Sequence, residues 1–184
     1  MPETKKHPPL VWLDLEMSGL DPDSERIIEI ATVISSAQLD EIIEGPNLVI
    51  KQPKEFIDGM DEWNTRHHGN SGLIECLKVA EISVDEAEQQ TLNFLRKHTK
   101  KGKSPLCGNS ISHDRRFLVR YMPELADFFH YRNIDVSSIK ELVKRWKPEI
   151  LQGFIKRGEH RAMADVYDSI EELKWYKKNF FLKE

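Results

Sequence analysis

The chain has 184 residues, of which 39% are apolar and 32% charged, a composition that supports one globular domain with a real core. It has no apolar run of about 18 residues, which excludes a membrane span. Its two cysteines, Cys76 and Cys107, exclude a disulfide framework and fit a reducing cytoplasm. A net charge of −4 excludes the broad basic surface that grips long nucleic acid, so a nucleic-acid substrate would be short or held by metal and local Lys and Arg groups.

Residues 1–9 are polar and lack the apolar core of a secretory signal; residues 1–8 are expected to be flexible. Leu10-Val11-Trp12-Leu13-Asp14-Leu15-Glu16-Met17-Ser18-Gly19-Leu20 begins as a buried strand and ends in a turn. Arg26 to Ser35, rich in isoleucine, valine and threonine, reads as a second strand. A third covers about Leu48 to Lys51, with Leu39 to Ile43 as part of the same strand or hairpin. Gly45-Pro46-Asn47 interrupts it, which predicts an edge strand or a bulge.

Asp61 to His68 predicts a short helix that Gly69, Asn70 and Gly72 terminate. Ser83 to Thr99 predicts a longer one, with Ser83 and Glu86 spaced as a capping box and Ala87, Thr91, Leu92 and Leu95 at helical intervals. Pro105 to Gly108 has the size of a buried strand. Ser110 to Tyr121 reads as a helix stopped by Pro123, and Asn133 to Val136 as a short strand. A helix then starts at Ser137 or Ser138 and ends before Pro148, and Ala162 to Asn179 forms the last helix. Three leading strands followed by alternating helices and strands predict a single α/β domain over 1–184, layered around a mixed sheet.

Within this frame, Asp14 and Glu16 alternate on one strand, so they share a face, roughly 6.6 Å apart along the backbone. Two acids so placed repel each other and lose hydration, and a hard divalent cation such as Mg²⁺ or Mn²⁺ resolves both problems. Asp114 and Asp165 each fall in the first turn of a predicted helix, where an acid alone would simply suit the helix dipole. His160 precedes Asp165 by five positions, about 140° of rotation on a continuous helix, so the two would not share a helical face. Gly158 instead places His160 in a loop, from which an imidazole can reach water at neutral pH.

Asp14-x-Glu16, Asp114 after Gly108-Asn109-Ser110, and His160 with Asp165 occur in the order found in one known group. The chain resembles the DEDD-type 3′→5′ exonucleases of the ribonuclease H-like fold, in their histidine subclass; the tyrosine subclass would need Tyr where this chain has Arg161. The resemblance covers nearly the whole chain and implies a three-layer sandwich with a mixed five-stranded sheet. It implies two divalent cations, Mg²⁺ or Mn²⁺, held by Asp14, Glu16, Asp114 and Asp165, with His160 as proton acceptor. It further implies that Leu20 wedges between bases, that Trp63 offers a stacking face, and that Ser110, Arg132 and Ser137, with nearby His68, cap a 5′-phosphate. Tyr131 would come from the neighbouring subunit of a homodimer.

The implied activity is 3′→5′ cleavage of short oligoribonucleotides, above all 5′-phosphorylated dinucleotides, to nucleoside 5′-monophosphates. The setting would be the cytoplasm, with no membrane and no stable protein partner. Two alternatives stay open: a general, proofreading or tRNA-trimming exonuclease for longer strands, and a non-catalytic nucleic-acid-binding module.

Overall fold

A computed structural model describes residues 7–156, 158 and 160–181. The expected flexibility of residues 1–8 falls mostly outside them. Strands β1 (Leu10–Met17), β2 (Ile27–Ser35) and β3 (Ile42–Val49) come first. Helices α1 (Lys54–Asp58), α2 (Glu62–Asn70), α3 (Leu73–Lys78) and α4 (Val84–His98) precede β4 (Leu106–Gly108). Then follow α5 (Ile111–Tyr121), α6 (Pro123–Phe128), β5 (Asn133–Asp135), α7 (Val136–Trp146), a 3₁₀ turn at Pro148–Gly153, and α8 (Ala162–Asn179).

The five strands form one mixed sheet in the order β3-β2-β1-β4-β5. β2 runs antiparallel to β1 and β3, whereas β4 runs parallel to β1 and β5. Alternation along the central strand β1 divides its side chains between two cores. Val11, Leu13 and Leu15 enter a cluster with Leu92 and Leu95 of α4, Phe117 and Leu118 of α5, and Leu125 of α6. Trp12 joins Val143 of α7 and Val166, Ile170 and Tyr176 of α8 on the opposite face. This is the expected three-layer sandwich, and Asp14 and Glu16 belong by alternation to the face that α8 covers. A smaller cluster of Ile28, Met60, Leu73 and Leu77 seats α3 beside α2.

Local chemistry sets the boundaries. Ser83 and Glu86 form the expected capping box at the start of α4. The third strand is longer than its apolar residues suggest and runs through Gly45 and Pro46. It lies at the sheet's edge, where a missing N–H is tolerated, and its register with β2 shifts between Ala31 and Val33. A Cβ on Gly45 would stand 2.4 Å from the Phe94 ring, so only glycine lets α4 cover this edge. Helix α7 begins at Val136, ahead of the predicted serines, because Asp135 is its N-cap and accepts the Ser137 N–H at 2.9 Å. Helices α1, α3 and α6 span five or six residues each, too few for an apolar period to register in the sequence. Among the described residues no helix is long and apolar enough to cross a membrane.

Candidate active site

The site forms where the end of β1 meets the start of α8. One carboxylate oxygen from each of Asp14, Glu16 and Asp165 lies within 4.8 Å of the others. Glu29 brings α8 there. It sits on β2 directly opposite Glu16 and is fully buried. Its two oxygens accept from Arg161 Nε at 3.1 Å each, from Arg161 Nη2 at 2.7 Å and from the Ala162 N–H at 3.0 Å. The pair pins the first residues of α8 to the sheet, and Asp165 N–H donates back to the Arg161 carbonyl at 3.0 Å. Asp114, buried in the first turn of α5, lies next to this trio. β4 pairs with only Val11 and Trp12 of β1, which leaves the strand open beyond them, and Asp114 Oδ1 accepts the Leu15 N–H there at 3.0 Å.

Burial first, then repulsion from Asp114, Glu16 and Asp165, holds Asp14 well above the usual carboxylate range. Burial, followed by Asp165, Glu29 and Asp114, pushes Glu16 up to about 8. Burial pushes Asp114 up to about 7 and also raises Asp165, against the opposing influence of His160. The nearby guanidinium, Arg161, is committed to Glu29 and contributes least to Glu16. Among the described residues the buried Nδ1 of His68 has no hydrogen-bond partner, and it stands 3.8 Å from Glu16. Clustered acids with this charge deficit fit a hard divalent cation, which Asp14, Glu16 and Asp165 would hold with Asp114 beside them.

His160 lies just before α8 with a left-handed backbone, φ 52°, after Gly158 at φ 66°. It is exposed, as a loop imidazole should be, and it acts electrostatically on Asp165. Its ring centroid lies 3.8 Å from that of His67 on α2. His67 in turn stacks on Trp63, at 4.3 Å and 19° between planes. Trp63 is 63% exposed and Leu20, in the loop after β1, is 75% exposed, so both offer apolar surface to a ligand. His68 is buried and bonds the Met17 carbonyl through Nε2 at 2.9 Å, so it sits with the carboxylates.

The predicted phosphate-binding serines meet. Ser110, itself left-handed at φ 50°, donates through Oγ to Ser137 Oγ at 3.1 Å. Ser137 donates to Asn109 Oδ1 at 3.0 Å, and the Asn109 amide donates to Ser169 at 2.8 Å and Glu172 at 3.1 Å. Glu172 is buried but faces Lys156 at 3.0 Å and Lys140 at 3.5 Å, and accepts from Tyr176 at 2.7 Å. Burial works against its charge, and Tyr176 with the lysines outweighs burial, so its carboxyl stays below the usual range. Arg132 and Tyr131 are exposed side by side, the guanidinium 5.1 Å from the ring centroid.

Sequence reasoning missed Glu29, His67 and Glu172. Glu29 left a signal, as a lone acid inside Ile27-Ile28-Glu29-Ile30-Ala31, where a buried charge demands a partner. Arg161 served only to exclude a tyrosine subclass, yet it is that partner. Among the described residues three non-glycines are left-handed, Leu39, Ser110 and His160, and the last two belong to the candidate site, where strained residues often cluster.

A family model described as Exonuclease matches residues 11–173. Among curated proteins, the chain is 58% identical to the oligoribonuclease of Marinobacter nauticus, over 94% of this chain and 96% of that one. It is 54% identical to the oligoribonuclease of Hydrogenovibrio crunogenus over 95% of each chain. It is 56% identical to that of Nitrosomonas europaea, over 94% of this chain and 95% of the other. Among solved structures, the zinc-bound E. coli exonuclease I–single-stranded DNA complex matches with TM-score 0.72 and 14% identity, over 95% of this chain and 41% of that chain. Exonuclease I of Methylocaldum szegediense matches with TM-score 0.66 and 16% identity, over 94% and 41%. The chain thus spans about two fifths of these solved chains, and at such identity the likeness establishes the ribonuclease H-like fold alone.

Proposed function

The chain belongs to the exonuclease family, among its oligoribonucleases, and from this membership we propose that it hydrolyses short RNA from the 3′ end. The observation that carries the reading is the convergence of Asp14, Glu16 and Asp165, with His160 acting electrostatically on Asp165. Asp14, Glu16, Asp114 and Asp165 would hold two divalent cations, Mg²⁺ or Mn²⁺. When bound, these supply charge that neutralises the phosphodiester and acidifies the attacking water.

His160 accepts the proton of that water. The water oxygen bonds to phosphorus, the bond to the departing 3′-oxygen breaks, that oxygen takes a proton from solvent, and the products are a nucleoside 5′-monophosphate and a chain one unit shorter. Leu20 and the open face of Trp63 hold the bases. Ser110, Ser137 and Arg132 receive a 5′-phosphate, the guanidinium of Arg132 supplying a two-pronged donor, while His68, expected beside them, is buried against the carboxylates instead. Such a cap closes the site behind the second nucleotide and favours 5′-phosphorylated dinucleotides.

Residues 1–184 act in this reading as one exonuclease domain of a cytoplasmic homodimer, with Tyr131 reaching the partner's site and with no membrane or stable protein partner. Hydrolysis should be measured against length, from dinucleotide to heptanucleotide, with and without EDTA. A 5′-phosphorylated dinucleotide is expected to turn over much faster than the heptamer, and EDTA to abolish both activities. Equal rates at all lengths would leave a general exonuclease, and activity that survives EDTA would remove the cations.

A further inference from the structure

His160 poses a mechanical problem. Its backbone is left-handed without being glycine, a strained conformation that persists only where the surroundings hold it. It follows the turn at Pro148–Gly153, and the described residues between that turn and α8 carry no regular structure. On its C-terminal side, Arg161 and Ala162 are clamped to Glu29, which fixes the main chain but leaves the imidazole free to swing. Among the described residues, the ring contact that His160 makes is with His67, at 3.8 Å between centroids and 52° between planes.

His67 is itself well held. It sits mid-way along α2, a helix that starts from the Asp61 N-cap. Its ring lies flat on Trp63, one helical turn earlier, and meets His68 edge-on at 5.6 Å. His68 is anchored to the Met17 carbonyl at the end of β1. The ring of His67 is therefore held on one side by Trp63 of its own helix and on another by His68, which is tied to the sheet, and a third side bears on His160. Burial, then His160 and His68, pushes the His67 imidazole below its ordinary value, the direction that favours a neutral ring beside His160.

We propose that His67 is a positioning residue, whose ring seats the imidazole of His160 beside the Asp14–Glu16–Asp165 cluster and joins it to Trp63. Trp63 and His67 stack, and the tilted His160 ring abuts His67, so the face offered to a nucleobase and the proton acceptor are joined through one ring. This deepens the reading of His160 given above and rests on it. The role belongs to the ring's shape and not to its nitrogens: any flat aromatic of similar size should serve. Misplacing a reacting group by about 1 Å costs on the order of 100-fold in rate, which sets the expected scale.

The experiment compares wild type, His67→Ala and His67→Phe on a 5′-phosphorylated dinucleotide, with thermal unfolding as the control for folding. His67→Ala is expected to lower kcat by about 10- to 100-fold, with KM changed less than about threefold, and His67→Phe to restore most of kcat. An unchanged kcat in His67→Ala overturns the proposal. So does a loss confined to KM, which would assign the ring to base binding, or a Phe variant as slow as Ala, which would assign the role to the imidazole nitrogens.

A second measurement does not depend on activity. Spectra of metal-free protein carrying ¹³C-labelled histidine should show the His160 ring resonances displaced in His67→Ala and partly returned in His67→Phe. Resonances indifferent to both substitutions overturn the contact. Inactive wild-type enzyme would defeat the proposed function while leaving this spectroscopic result to stand or fall by itself.

Discussion

At the scale of the residue, the proposed mechanism separates metal holding from proton transfer. His160 lies outside the carboxylate trio, so His160→Ala should leave Mn²⁺ affinity intact by titration calorimetry while kcat falls about 100- to 10,000-fold, the scale of general-base catalysis. Asp14→Ala should remove both metal affinity and turnover. The same acids give metal-free protein an unusual pH dependence. Glu16 is held near 8 and Asp114 near 7, by burial first and by neighbouring acids as well for Glu16. The folded chain therefore binds more protons than the unfolded one, whose carboxyls titrate near 4. Stability is fully present below that range and is lost as pH rises toward 8. Thermal melts in EDTA should show Tm falling between pH 5 and pH 8 by about 5 °C or more, and Mg²⁺ should restore more at pH 8 than at pH 6. A Tm that climbs over this interval in EDTA would contradict the buried-acid account. The acids of this site were legible in the sequence because Asp14-x-Glu16, Asp114 and His160 with Asp165 carry a spacing. His67 was not, because a helix-borne histidine acquires meaning only when a loop 93 positions later folds against it.

At the scale of the element, α8 is the part whose placement matters most. Its first turn brings Asp165, its flank brings His160, and its middle brings Glu172 beneath the paired serines. The clamp that sets it down is Glu29 with Arg161. Glu29→Gln keeps the shape but removes the charge and one acceptor, leaving a guanidinium half-paired against the sheet. The expected cost is about 2–4 kcal/mol in unfolding free energy, together with a drop in kcat as His160 and Asp165 shift. Denaturant unfolding and steady-state kinetics check the two effects separately. The long elements were readable: α4 from its capping box, α8 to the residue, and β1 and β2 from their apolar runs. Helices α1, α3 and α6 were not, since they are shorter than two helical turns and are held by tertiary packing. The start of α7 was misplaced for another reason: Ser137 and Ser138 look like caps, but Asp135 also accepts the Ser110 N–H at 3.0 Å and so joins β5 to α5.

At the scale of the whole molecule, the proposed homodimer makes a strong claim about Tyr131, which is 72% exposed and far from saturating its own surroundings. If it serves the partner's site, Tyr131→Ala and Asp14→Ala should each be poor enzymes alone. Mixed and allowed to exchange subunits, they should recover roughly a quarter of wild-type turnover, because half of the random pairs hold one complete site out of two. Sedimentation would confirm the pairing, and a mixture no better than its parts would place Tyr131 in its own subunit's chemistry. The rims of the sheet limit how any such pair could form. β3 carries Pro46, a register shift and a flank covered by Phe94, while β5 is three residues long. Neither rim offers a run of free amides for another chain to dock on. Concentrated solutions should accordingly scatter light as discrete particles of fixed size, and prolonged storage should not seed fibrils.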